Sequence, residues 1–481
     1  MERGSHRADE TVVVWFRDDL RLADNPAVSA AAAERRPMVA VYVLDETAGR
    51  RGPGGAFRWW LHHSLAALQA SLQAAGVPLV FGRGPVAAAL PKLLAAVGAV
   101  SVHWNRRYDG PGRDTDTRLK AALRERGVAV ESHNGTLLVE PWTVKPRSGD
   151  HFKVFTPFWK ACRPVLDERP PPLPPARLTP GPQDLPVGVP LGDLALLPTA
   201  PDWAGGLRET WTPGEAGAHA RLTRFLDHGL ARYAAHRDEP AADAVSMLSP
   251  HLRHGEISVG TVLAAARMRE DEGRARAANV TKFVTELGWR EFSYHLLFHF
   301  PALAERNYQS RFNAFAWRED SAADLRAWQR GRTGYPIVDA GMRQLWATGF
   351  MHNRVRMIVA SFLIKHLLVD WRAGEDWFWD TLVDSDPASN ASGWQWVAGS
   401  GADAAPFFRV FNPVLQGEKF DPDGAYVRRW VPELADLPRQ VIHRPWTAEG
   451  RHRQTYPDPI VDHATARDRA LATFGRVKTA A

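Results

Sequence analysis

Four short apolar runs punctuate the first third of the chain: Thr11–Phe16, Met38–Leu44, Pro78–Gly82 and Val100–Asn105. They are rich in Val and residues of similar shape and read as buried strands of a parallel sheet. Between them, Asn25–Glu34, Gly55–Ala75, Pro85–Val97 and Arg113–Arg126 space apolar residues at a helical period. Strand–helix alternation of this kind predicts an open, Rossmann-like parallel α/β sheet with right-handed crossovers. No Gly-x-Gly-x-x-Gly follows any of these strands, so a dinucleotide site there lacks its signature. Ligands of such sheets sit at the carboxyl ends of the strands, which leaves room for a small molecule of unspecified kind.

From Arg169 to Pro213 prolines and glycines are dense, most of all in Arg169-Pro-Pro-Pro-Leu-Pro-Pro175. Such a composition forms neither regular helix nor central strand and predicts a connector. Beyond about Gly217 the period is helical, over Ala218–Tyr233, Ser258–Arg269, Ala278–Phe298, Ala322–Gln329, Val338–Thr348, Asn353–Val369 and Asp376–Val383. No internal repeat is visible. The expected organisation is an α/β domain over residues 1–135, a Pro/Gly-rich linker over 136–216 and a larger all-α domain over 217–481.

Composition adds limits. A chain of 481 residues exceeds one typical core, and 45% hydrophobic with 24% charged residues is ordinary for a soluble protein. Nineteen tryptophans are not ordinary; most belong in cores, yet so many indoles also allow stacking surfaces and redox chains. The formal charge of +6 permits contact with a polyanion without requiring it, and the abundant Ala and Arg are also what codon bias would produce. One cysteine, Cys162, excludes an intramolecular disulfide and a thiolate cluster and suits a reducing cytoplasm. The N-terminal Met-Glu-Arg-Gly-Ser-His-Arg has no apolar signal core. The most lipid-like segment, Met357 to Val369, is short and interrupted by Lys365 and His366, so no membrane span is expected.

The richest chemistry lies in Gly341-Met-Arg-Gln-Leu-Trp-Ala-Thr-Gly-Phe-Met-His-Asn-Arg-Val-Arg-Met357 and the forty residues after it. Asn353, Arg356 and Met357 stand at i, i+3 and i+4 and project together from a helix. Asp384, Asp386, Asn390, Trp394 and Trp396 follow. Polar groups in such apolar surroundings are costly to bury unless something polar shares the site. The Asp–Asp–Asn set could ligate a divalent metal, but no further carboxylate cluster supports one, and no metal is assigned. Upstream, Tyr233 precedes Val245-Ser246-Met247-Leu248-Ser249-Pro250, a turn whose hydroxyls and backbone N–H groups cap a helix and can cradle a phosphate. In Phe283-Val-Thr-Glu286-Leu-Gly-Trp289-Arg290, Glu286 and Arg290 form an i, i+4 pair beside two aromatics, which is also what a surface ion pair next to a core looks like.

Together with Val14-Trp-Phe-Arg-Asp-Asp-Leu-Arg-Leu-Ala-Asp-Asn-Pro26, these motifs stand in an order that resembles the DNA photolyase/cryptochrome family from Thr11 to about Ala470. The likeness is greatest to the bacterial branch that splits cyclobutane pyrimidine dimers. It implies an FAD held by Tyr233, Val245, Ser246, Met247, Leu248, Ser249, Phe283, Glu286, Arg290, Asn353, Arg356, Asp384, Asp386 and Asn390. It implies a lesion pocket of Glu286, Trp289, Asn353, Met357 and Trp396, an electron-transfer chain of Trp317, Trp371 and Trp394, and DNA contacts from Lys153, Arg237, Arg354, Arg409 and Gln416. This chain departs from the family pattern at Val245 and Met247, where Thr and Arg are usual, and at Phe283, where Trp is often found. A second, antenna chromophore, deazaflavin or folate, is implied for the α/β domain, though Pro111-Gly112 replaces the Asn-Glu pair that binds folate in some relatives.

The reaction implied is light-driven repair of pyrimidine dimers in DNA by electron transfer from excited reduced FAD, carried out by a cytoplasmic monomer. The alternative is a cryptochrome-type blue-light photoreceptor without repair activity. Such receptors often carry a long C-terminal extension, whereas this chain ends soon after its last expected helix. A (6-4) photolyase would use paired histidines where this chain has His352-Asn353.

Overall fold

The computed structural model describes residues 10–48, 51–185, 187–404, 408–450 and 452–479. The α/β domain is a five-stranded parallel sheet of β1 (Thr11–Phe16), β2 (Met38–Asp45), β3 (Leu79–Gly84), β4 (Ala99–Asn105) and β5 (Ala129–His133), in the order β3-β2-β1-β4-β5. Every residue of β1 is buried. Val12, Val14 and Phe16 face the Pro26–Ala33 and Gly55–Ala74 helices, while Val13 and Trp15 face the Val86–Ala96 and Gly110–Glu125 helices. Two-sided burial is why β1 and β2 are almost wholly apolar. The fifth strand has no such run: at the edge it alternates exposed Ala129, buried Val130 and exposed Glu131.

The segment expected to be linker is not all linker. Phe155–Asp167 is a helix, and its Phe155, Phe158, Trp159, Cys162 and Leu166 are buried in one core with Phe283, Leu287 and Phe292 of the long Ala277–His299 helix. The proline-rich chain after it wraps the α/β domain. Met38 N–H donates to Thr179 O at 3.2 Å, and Val189 N–H to Phe81 O at 3.0 Å.

The helical half keeps the expected elements with altered ends. Asn353–Ser361 runs into a single π turn, Phe362–His366, instead of continuing as one α-helix to Val369. Trp371–Thr381 and Ser389–Ala398 pack tightly on each other. A Cβ on Gly374 would lie 2.1 Å from the Trp394 ring, so only glycine permits this approach.

The N-terminal motif joins the two halves. It leaves β1 beside β4, where the strand order reverses. Asp18 accepts from Arg107 of the α/β domain at 2.8 Å and from Arg253 of the helical half at 2.9 Å. These two guanidiniums hold its carboxyl well below the usual range against the opposing effect of burial. Arg21 donates to Gly255 O at 3.0 Å, and both oxygens of Glu215 accept from Leu22 and Ala23 N–H at 2.9 Å. Asn25 caps the Pro26–Ala33 helix.

Candidate functional site

A cavity of about 320 Å³ opens in the helical half, within the roughly 300–1,000 Å³ of ordinary small-ligand sites. Its wall includes Tyr233, Ser246, Ser249, Phe283, Glu286, Arg290, Asn353, Arg356, Met357, Asp384, Asp386, Asn390 and Trp394. Residues as far apart in the chain as Tyr233 and Val397 thus converge on one space.

Each polar wall residue has a defined orientation. Arg356 donates through Nη2 to both oxygens of Asp384, at 3.1 and 2.8 Å, and through Nε to Met351 O at 2.7 Å. Oδ1 of Asp386 accepts from the backbone of Ala388 and Ser389 at the start of the Ser389–Ala398 helix, and Oδ2 accepts from Tyr294 Oη at 2.6 Å. Burial raises the Tyr294 phenol, so it remains the donor. Asn390 Nδ2 donates to Oε1 of Glu375 at 2.7 Å and to its carbonyl at 3.1 Å. Gly393 lies on the wall, where a Cβ would meet nothing within 4 Å. A flat ring system can approach the backbone there, and the acceptor-rich wall around it suits a flavin's ring N–H groups.

The Glu286–Arg290 pair does not form. Glu286 binds Arg237 instead, while Arg290 donates to the buried Glu291 at 2.9 Å. Burial raises the Glu291 carboxyl, offset by Arg290 and by N–H donation from Val139 and Leu138. Sequence spacing puts two ions on one face but does not reveal third parties that outcompete the pair.

Several expected residues lie off this wall. Leu248 is buried in the core, Val245 packs against the same core, and Met247, with a φ of 52°, packs against a separate cluster that contains Trp59, Trp60 and Trp211. Trp289 stacks on Phe155 with ring centroids 3.8 Å apart. Trp396 lines a neighbouring recess with Arg409 and Phe411. Trp371 is fully buried, donating to Asn307 Oδ1 at 2.9 Å, and Trp317 lies tilted against Phe315. Trp394 packs edge-on against Phe378 and Trp328 at 5.0 and 6.2 Å.

A second groove of about 500 Å³ adjoins the cavity and shares Met357 with it. Arg354, Arg409, Gln416 and Lys419 line it. Arg354 pairs with Asp238 at 3.0 Å and lies over Phe420. Arg237 and the exposed Lys153 are not on this groove's wall. Lys419 and the cavity residues Arg253, Leu287, Phe378 and Ser389 carried no motif signal, because only the folded chain brings them to these walls. His352 is buried, its pKa pushed down to about 4, and its Nδ1 accepts from Arg354 N–H at 3.2 Å. It is a neutral helix cap off the cavity wall.

Residues 283–476 match the family described as the FAD binding domain of DNA photolyase, and residues 12–176 the family described as DNA photolyase. The chain belongs to the DNA photolyase/cryptochrome family. It is 54% identical to the deoxyribodipyrimidine photo-lyase of Agrobacterium fabrum, over 97% of this chain and 98% of that one. It is 39% identical to cryptochrome-2 of Arabidopsis thaliana, over 98% of this chain and 80% of that one. A bacterial class III photolyase from Agrobacterium tumefaciens has the same fold, with a TM-score of 0.92 and 52% identity over 98% of both chains. Among the described residues, no helix is long and apolar enough to cross a membrane.

Proposed function

We propose that this protein is a deoxyribodipyrimidine photo-lyase, repairing cyclobutane pyrimidine dimers in DNA under light. The observation that carries the proposal is the convergence of Glu286, Asn353, Met357, Arg356, Asp384 and Asn390 on one cavity that adjoins a cation-lined groove. Arg356, Asp384, Asp386 and Asn390 hold the flavin ring, and Tyr233, Ser246 and Ser249 the remainder of FAD. When bound, FAD supplies the light-driven electron that opens the cyclobutane ring.

The rest is positioning. A dimer stacks and pairs poorly, so extruding it from the duplex costs less than the few kcal/mol of an intact base pair. Arg354, Arg409, Gln416 and Lys419 bind the flanking backbone, leaving Met357 where groove and cavity meet and Asn353 on the cavity wall. Glu286 accepts from the flipped base once Arg237 is shared with or displaced by it. The protein acts as a cytoplasmic monomer in this reading, with α/β and helical domains as delimited by residues 1–135 and 217–481.

The likeness to plant cryptochrome-2 supports one other reading, a blue-light receptor without repair. Illumination of purified, reduced protein with thymine-dimer DNA separates the two. Restored thymines are expected. A protein that binds flavin, reduces it and restores none is a receptor.

A further inference from the structure

Outside the cavity, metal-capable atoms gather where β4 and β5 pair, with His103 opposite Glu131. Side chains alternate along a strand, so Glu131 and His133 share one face, and the register places His103 on it too. His103 Nδ1 lies 3.2 Å from His133 Nε2 and 4.0 Å from Oε2 of Glu131. All three ligand atoms are within 4.8 Å of one another. Ligand atoms bound about 2.0–2.1 Å from a tetrahedral ion stand about 3.3 Å apart. The two nitrogens share a hydrogen bond at the spacing of neighbouring ligands of one ion, and a metal would replace the proton between them. Glu131, with 65% of its side chain exposed, is free to close the remaining distance.

The surroundings fix the histidine in a ligating form. His103 Nε2 faces Oε1 of Glu34 at 2.6 Å, and the other Glu34 oxygen accepts from Ser101 Oγ at 2.7 Å. A carboxylate on Nε2 holds the ring proton there and leaves the Nδ1 lone pair toward His133, the relay that in metal sites orients the imidazole and raises its basicity. Two nearby cations, Lys120 and Arg106, donate to Ser132 Oγ at 2.6 and 3.2 Å. Ser132 lies between Glu131 and His133 and points to the opposite face.

We propose that His103, Glu131 and His133 form a three-ligand site for a divalent transition metal, with water as the fourth ligand and Glu34 behind His103. Two imidazoles and one carboxylate suit zinc, whereas calcium and magnesium prefer all-oxygen sets. His103 stands 28 positions before Glu131 and 30 before His133, and only strand pairing joins them. The ion would clamp β5, the edge strand held by backbone pairing on one side alone.

Cobalt(II) tests this, added to the flavin-loaded protein in the dark with the flavin oxidised. One equivalent should give the intense visible bands of a tetrahedral ion, on the long-wavelength side of the flavin, and one equivalent of zinc should abolish them. His133→Ala should remove the bands, Glu34→Gln should weaken affinity 10–100-fold, and His62→Ala should change nothing. Glu131→Gln, at an exposed side chain, reports even if His133→Ala fails to fold, and should lower affinity at least tenfold. Repair should be the same in Glu131→Gln as in wild type, which separates this proposal from that of the cavity. A pale octahedral spectrum, or equal affinity in wild type and Glu131→Gln, would overturn it.

Discussion

Arg356 grips both carboxylate oxygens of Asp384, at 3.1 and 2.8 Å, while the Asp384 side chain is only 3% exposed. With Nη2 on both Asp384 oxygens and Nε on Met351 O, the guanidinium plane is fixed as well as its charge. Asp384→Asn keeps the shape but loses the charge and one of the two acceptors. Charge-assisted hydrogen bonds contribute about 1.5–3 kcal/mol each, so flavin affinity should fall about 10- to 100-fold. The flavin-to-protein absorbance ratio after gel filtration measures it. Full flavin retention would show that the pair serves folding and not the cofactor.

Glu286 enters the cavity already bound to Arg237, whose guanidinium lies 5.4 Å from the Tyr233 ring centroid. Glu286→Ala removes the acceptor offered to a flipped base without touching the Arg356–Asp384 pair. Dimer splitting should slow, roughly tenfold for each 1.4 kcal/mol of interaction lost, at unchanged flavin content. Single-turnover repair of a thymine-dimer oligonucleotide is the readout. An unchanged rate would take Glu286 out of the lesion pocket.

Local sequence carried much of this architecture, and its omissions have physical causes. β1 and β2 announced themselves because a strand buried on both faces is almost wholly apolar, and β4 through Val100, Val102 and Trp104 alternating with polar residues, while β5, at the edge, is half polar. The Phe155–Asp167 helix was hidden by prolines on both sides and by Pro164 within it. Asn353, Arg356 and Met357 were legible as one helical face. The partners of charged groups were not, since Arg237 reaches Glu286 across 49 positions and Arg290 chooses its chain neighbour. The cluster of His103, Glu131 and His133 exists only once the strands are in register.

Trp394 is 3% exposed and lies on the cavity wall, its ring against Gly374 and edge-on to Phe378. Trp394→Phe preserves an apolar wall and removes an oxidisable indole. Photoreduction of oxidised flavin should be blocked, while chemically reduced protein should repair dimers at close to the wild-type rate. Flavin absorbance under blue light, followed with an external reductant present, measures the first effect. Normal photoreduction would mean that electrons reach the cavity without Trp394.

Lys365 is buried within the π turn, its ammonium donating to Arg409 O at 2.5 Å with the Phe408 ring 4.7 Å away. Burial, with a smaller contribution from Arg409, pushes its pKa down to about 7. The unfolded chain keeps this proton to about pH 10.4, so between those limits the unfolded state binds more protons than the folded one. Stability should therefore rise with pH across that window, by up to about 1.4 kcal/mol per pH unit from this residue. Lys365→Met should remove that slope below pH 10, before the buried tyrosines begin to titrate on unfolding. Urea midpoints at pH 7, 8 and 9 for both proteins give the comparison. Parallel curves would mean that Lys365 reaches water in the folded state.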